Sequence, residues 1–190
     1  MSRIALIVGL GNPGSEYEAT RHNAGFWFID ELARQSGCEL KKDSKFFGFA
    51  GKANLHGEPV WLLKPDTFMN RSGQSVSALA KYYKIPVENI LVVHDELDFE
   101  PSDVRLKKGG GHAGHNGLRD IISAMDSKEF LRLRLGIGHP GNSKDVSDFV
   151  LARPSVSDKT QIGYAIDDAL RVMPDLVSGD IEKAMQALHS

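Results

Sequence analysis

The chain has a single cysteine, Cys38. That excludes a disulfide within the chain and a zinc site built from several cysteines. No apolar run approaches the ~20 residues that a membrane helix needs, so no spanning segment is expected. The apolar stretch from Ile4 to Leu10 runs straight into Gly11-Asn12-Pro13-Gly14 with no small-residue cleavage site, so it does not read as a signal peptide. A soluble, cytoplasmic protein is expected. No G-x-S-x-G elbow and no H-E-x-x-H pair is present, which leaves neither a serine-hydrolase elbow nor a zincin helix. Excess charge is also lacking: 23 Lys and Arg stand against 25 Asp and Glu, a net of −2. Taken whole, that total speaks against a polyanionic partner.

What is there is ordinary globular material, 41% hydrophobic and 25% charged over 190 residues. At ~150 residues per domain this is one domain, large enough to bury roughly 70% of its unfolded surface. The charge is unevenly spread. Residues 101–144 hold 8 bases and 4 acids, and residues 145–190 hold 4 bases and 8 acids. This polarity fits either an anionic partner or a solvated face, and composition does not choose between them.

Buried strands are expected at Ile4–Gly9, Val60–Lys64 and Ile90–His94, which are continuous apolar and β-branched runs. Leu131–Gly138 alternates instead, and predicts a half-exposed strand with Arg132 and Arg134 on its open face. Helical spacing appears over Ala24–Gln35 with Gly37 as a stop, Ser72–Tyr83, Leu118–Met125, Gln161–Met173 with Pro174 as a stop, and Ile181–Leu188. Strands alternating with helices predict an α/β domain: a mixed, mostly parallel central sheet flanked by helices. Gly138–Ser147 is rich in glycine and polar residues and predicts a mobile loop.

Four loops carry chemistry. Gly9-Leu10-Gly11-Asn12-Pro13-Gly14 has the G-x-G-x-x-G spacing of a dinucleotide site. However, no helix opens at its third glycine, and the acid expected ~20 residues on is missing. A tight turn that leaves Asn12 at a strand's carboxyl end is the simpler reading. Thr20-Arg21-His22-Asn23 offers an exposed histidine able to act as a base, or a capping turn in which Asn23 caps. Asn70, after Lys64-Pro65-Asp66-Thr67-Phe68-Met69, is either an N-cap or an amide aimed at a carbonyl. His94-Asp95 ends a strand, and Gly109-Gly110-Gly111-His112-Ala113-Gly114-His115-Asn116-Gly117 follows. His94, Asp95, His112 and His115 form a metal set by residue type, without the helical spacing of a known one. A base, a strand-end carboxylate and three asparagines suit activation of water beside a carbonyl. A nucleotide-cofactor oxidoreductase, a metal-dependent hydrolase and a non-catalytic RNA-binding module are the rival classes.

Six stretches in order resemble bacterial-type peptidyl-tRNA hydrolase: Val8–Gly14, Thr20–Gly25, Thr67–Gly73, His94–Asp98, Gly109–Arg119 and Gly136–Gly141. One position departs from the family pattern, Ala113 standing where glycine is expected. The resemblance implies a monomeric α/β enzyme that cleaves the ester between peptide and tRNA, recycling tRNA from drop-off products, with no metal and no cofactor. It implies His22 as the base, Asp95 as its partner, and Asn116 as the group that positions water or holds the oxyanion. It implies that Asn12, Tyr17, Met69, Asn70 and His115 bind substrate. Lys107 and Arg134 would hold phosphate of the tRNA acceptor stem and 3′ end, and residues 138–150 would form a lid.

Overall fold

The computed structural model describes residues 3–189; Met1, Ser2 and Ser190 lie outside the described residues. Strands β1 (Leu6–Gly9), β2 (Lys41–Asp43), β3 (Gly48–Leu55), β4 (Glu58–Pro65), β5 (Ile90–Glu96), β6 (Val104–Lys108) and β7 (Leu131–Gly136) form one sheet. Its order is β2-β3-β4-β1-β5-β7-β6. β1 runs parallel to β4 and β5, and β5 runs parallel to β7. β2, β3 and β6 pair antiparallel at the two edges. The helices are α1 (Ala24–Ser36), α2 (Ser72–Tyr82), α3 (Asn116–Met125), α4 (Val146–Val150), α5 (Val156–Arg171), α6 (Met173–Ser178) and α7 (Ile181–His189). None is long and apolar enough to cross a membrane.

Alternate residues of each strand face opposite sides of a sheet, and here they feed two cores. Ile7 joins Phe28 and Ile29 of α1 and Ile162 and Ala165 of α5 on one side. Leu6 and Val8 join Val76 and Leu79 of α2 and Leu118 and Ile121 of α3 on the other. With helices on both faces, β1 has no solvent side, which is why its run is apolar throughout. Burying each of these side chains other than Ala165 is worth about 1.5–3 kcal/mol.

The first glycine loop serves helix packing. A Cβ on Gly25 would lie 2.5 Å from both N and O of Leu10 and from O of Val93, and one on Gly9 would lie 2.3 Å from O of Gly25. The backbones of α1 and β1 therefore meet where only glycine fits. The N–H of Asn12 is spent on Asn23 Oδ1 at 2.8 Å, and Asn23 Nδ2 donates to Asn12 O at 2.9 Å. No helix N-terminus opens behind this loop to receive a pyrophosphate.

Several expectations change. β7 lies between β5 and β6 rather than half in solvent, and Arg132 is buried, with 1% of its surface exposed. The alternation reads correctly as a side-chain period, but its polar face is covered by the glycine loop. The expected mobile segment carries α4 behind a single 3-10 turn at Ser143–Asp145. Pro174 lies in the first turn of α6, where a proline needs no N–H, and α5 stops earlier, at Arg171. β2, β3 and β6 were not foreseen. β2 and β6 are the two edge strands and β3 is the neighbour of one of them, and polar residues hide the alternation, as in Lys41-Lys42-Asp43.

Candidate active site

The parallel strands end on one side of the sheet, and a cleft of about 690 Å³ opens there, the usual ligand position in such sheets. Asn12 follows β1, Met69 and Asn70 follow β4, Asp95 is the penultimate residue of β5, His115 is the N-cap of α3 and Asn116 its first residue. All of these line the cleft, together with His22, Lys107 and Arg134. Tyr17 stands one ring outside it, edge-on to the lining Phe68 at 6.2 Å.

Asp95 is the centre of the arrangement. It is 3% exposed and meets a different imidazole with each carboxylate oxygen: His22 Nδ1 at 2.8 Å from Oδ2 and His115 Nε2 at 2.9 Å from Oδ1. His115 Nδ1 caps α3 by accepting from the N–H groups of Gly117 and Leu118, at 3.1 and 3.3 Å. Its proton must then sit on Nε2, which donates to Asp95. His22 in turn donates from Nδ1, which leaves its Nε2 as the basic atom. Burial pushes the Asp95 carboxyl up, but the two imidazoles outweigh burial and hold it well below the usual carboxylate range. Burial pulls His22 down, and the adjacent Asp95 charge and hydrogen bond more than reverse this, so it titrates above its ordinary value.

His22 is buried, 9% exposed, rather than solvated as expected. Its 3-10 turn, Arg21–Asn23, is wedged between β5 and the α4 segment. Asn23 is not a side-chain cap; it binds the backbone of Asn12. Asn12 Oδ1 accepts from Met69 N–H at 2.7 Å, and its side-chain NH2 has no hydrogen-bond partner among the described residues. Asn70 is exposed and caps nothing, since Arg71 holds the N-cap position of α2 without a side-chain bond. Asn116, also exposed, is the first residue of α3.

His22, Asp95 and His115 also form a set with ligand atoms within 4.8 Å of one another, the spacing of a metal site. In the hydrogen-bonded arrangement each of those atoms already serves another: both ring nitrogens act as donors to the carboxylate, so neither offers a lone pair. His94 and His112, the other two members of the metal set expected from residue type, lie outside that cluster; each has its Nδ1 engaged, while His94 Nε2 is buried without a hydrogen-bond partner among the described residues. His94 Nδ1 meets the Asp95 carbonyl oxygen at 2.7 Å, and burial takes its pKa down to about 3. His112 Nδ1 accepts from Gly114 N–H at 2.9 Å.

The chain matches the peptidyl-tRNA hydrolase family profile over residues 6–190. The chain belongs to the peptidyl-tRNA hydrolase family. A peptidyl-tRNA hydrolase of Methylobacillus flagellatus is 56% identical over 190 residues, covering 100% of this chain and 98% of the relative. One from Methylococcus capsulatus is 59% identical over 186 residues, covering 98% and 99%. The crystal structure of peptidyl-tRNA hydrolase from Acinetobacter baumannii superposes with a TM-score of 0.97 at 53% identity, covering 100% of this chain and 96% of that one. The expected α/β fold with a mixed sheet, parallel at its centre, is the one observed.

Within this family member, three contacts carry no sequence signal. His115, expected at the substrate, also grips Asp95. Arg132 is not a surface cation. Arg21 donates to the carbonyl of Phe149 at 2.9 Å and stacks on its ring at 3.9 Å, tying the α4 segment to the turn that carries His22. Each depends on contact between segments far apart in the chain, and none leaves a periodic trace.

Proposed function

We propose that this chain hydrolyses the ester joining a peptide to the 3′-terminal ribose of tRNA, with His22 as general base. The observation that carries the reading is the Asp95 carboxylate holding Nδ1–H of His22 at the wall of the cleft. That bond sets the tautomer, aims Nε2 at the cleft and favours the imidazolium that forms when a proton arrives. A water then loses its proton to Nε2 as its oxygen bonds to the ester carbon. The tetrahedral oxyanion collapses, the bond to the ribose oxygen breaks, and that oxygen takes the proton from the imidazolium. The products are a free peptide carboxyl and tRNA with its 3′ end restored.

Asn116 orients the water or holds the oxyanion, and Asn12 and Asn70 hold the peptide main chain, since amides do this without adding charge. Met69 and Tyr17, through Phe68, form the apolar wall, and His115 both faces the substrate and steadies Asp95. Lys107 and Arg134 take backbone phosphates of the acceptor stem and 3′ end, which position the tRNA without reading its sequence. Residues 138–150, carrying α4, act as the lid of the cleft. Every group named comes from one copy of the chain, so a monomer suffices, and the cytoplasm is the compartment this reading expects. No step as written uses a metal or cofactor.

The test is release of N-blocked amino acid from N-blocked aminoacyl-tRNA with a chelator present. Continued release is expected. No release with or without chelator would remove the ester as substrate, and release abolished by the chelator alone would reassign His22, Asp95 and His115 as metal ligands.

A further inference from the structure

Arg132 is a buried cation with no carboxylate hydrogen-bonded to it among the described residues, Glu129 acting on it only through space. Its guanidinium donates to three main-chain carbonyls instead, those of Gly110, Gly111 (2.6 Å) and Lys128 (3.1 Å), and it lies over the Phe130 ring at 4.4 Å. Burying a charge without a hydrogen-bonded counter-ion is costly, so this residue needs an account beyond packing.

Its surroundings add more positive charge. In the register of β6 against β7, Lys107 stands opposite Arg132 and Arg105 opposite Arg134. Residues two apart on a strand share a face, so four cations form a square on one side of the ribbon. Like charges directly opposed across strands are destabilising; Glu129 near Arg132 and Glu96 and Asp98 near Arg134 offset part of this, and a bound phosphate would relieve more of it.

The three carbonyl bonds also fix the direction of two peptide groups. No cis peptide is present among the described residues, and in a trans peptide the C=O and the following N–H point opposite ways. With the carbonyls of Gly110 and Gly111 drawn in to Arg132, the N–H groups of Gly111 and His112 turn outward. Both residues line the cleft, and among the described residues neither N–H has an acceptor. Positive φ at the neighbouring Gly109 and Gly110, 64° and 104°, provides the loop shape that this orientation requires. The Lys107 side chain packs directly over Gly110, its Nζ 2.8 Å from where a Cβ would stand. Successive outward N–H groups beside a cation are an anion-binding concavity.

We infer that Arg132 is a positioning residue: it holds the glycine loop so that the N–H groups of Gly111 and His112, together with Lys107, bind one phosphate of the tRNA backbone. This rests on the proposed role of Lys107 and extends it from a point charge to a built site with main-chain donors.

The experiment titrates deacylated tRNA against the full chain and its variants across a salt series, with thermal melting as the check on folding. Arg132→Lys keeps the charge but cannot span three carbonyls, and Gly111→Pro deletes one N–H. Each is expected to weaken binding about tenfold, as loss of a charge-assisted bond does. Arg132→Lys combined with Lys107→Ala is expected to lose less than the product of the single losses, because both act on one phosphate. Native melting with unchanged affinity in Gly111→Pro, or losses that multiply in the double variant, would overturn the inference. If Lys107→Ala alone leaves affinity and salt slope unchanged while Gly111→Pro weakens binding, the Lys107 assignment fails and the main-chain site stands.

Discussion

Replacing Asp95 by asparagine changes one oxygen to an NH2 group and leaves the volume unchanged. In the native site both oxygens accept, at 2.8 Å from His22 and 2.9 Å from His115. Asparagine keeps an accepting oxygen at only one of the two positions, so the imidazole N–H at the other faces another donor. His115 is held by its second bond to the α3 backbone, so its proton stays on Nε2 and it keeps the single acceptor. His22 then meets the NH2 group and must accept through Nδ1, which moves its proton to Nε2, the atom that should take the proton from water. A wrong tautomer of this kind costs about 10⁴ in turnover, or roughly 5 kcal/mol at 1.36 kcal/mol per decade.

The pH profile supplies a separate sign. His22 is raised above 6.5 by Asp95, against burial. The wild-type rate therefore falls as pH drops through a value above 6.5, where the base becomes charged. Without the carboxylate only burial remains, so the residual activity of Asp95→Asn should lose this limb to lower pH. The linked stability has the same origin: the His22 contribution is complete below 6.5 and is lost as pH rises through its folded pKa. The assay is kcat and kcat/KM for N-blocked aminoacyl-tRNA from pH 5 to 9. A loss below tenfold, or an acid limb that does not move, would refute the reasoning.

Ala113 has φ of +48°, so the position where the family pattern has glycine does demand a left-handed backbone. Ala113→Gly should release strain of about 1–2 kcal/mol, offset by about 0.5–1 kcal/mol of chain entropy, and melting should rise by a few degrees at most; a fall would contradict the strain. Arg21→Ala removes the bond and the stacking on Phe149, so residues 138–150 should become more sensitive to limited proteolysis and KM should rise. Equal cleavage rates would dismiss Arg21 as the tether. Lys107→Ala should weaken tRNA binding and lower the salt slope by about 1, the share of one phosphate contact; weaker binding at an unaltered slope would place Lys107 away from phosphate.

The sequence by itself determined the sheet's buried centre and most of its helices. Ile4–Gly9 and Ile90–His94 have no polar face, so they can only lie between two layers, and the spacing in Ala24–Gln35 admits one buried stripe. The motif loops were legible because each joins a strand end to a helix start, where parallel sheets expose functional groups. Other features depend on which segments touch. Whether the strand at Leu131 meets solvent was decided by β6 and by the glycine loop folding over it, which turned Arg132 from an expected surface cation into a buried tether. That His22 and His115 share Asp95 was decided by three segments converging at one end of the sheet. Local periodicity records which face of an element is apolar. It carries no record of the partner that covers the polar face, and that partner decides which polar groups become the site.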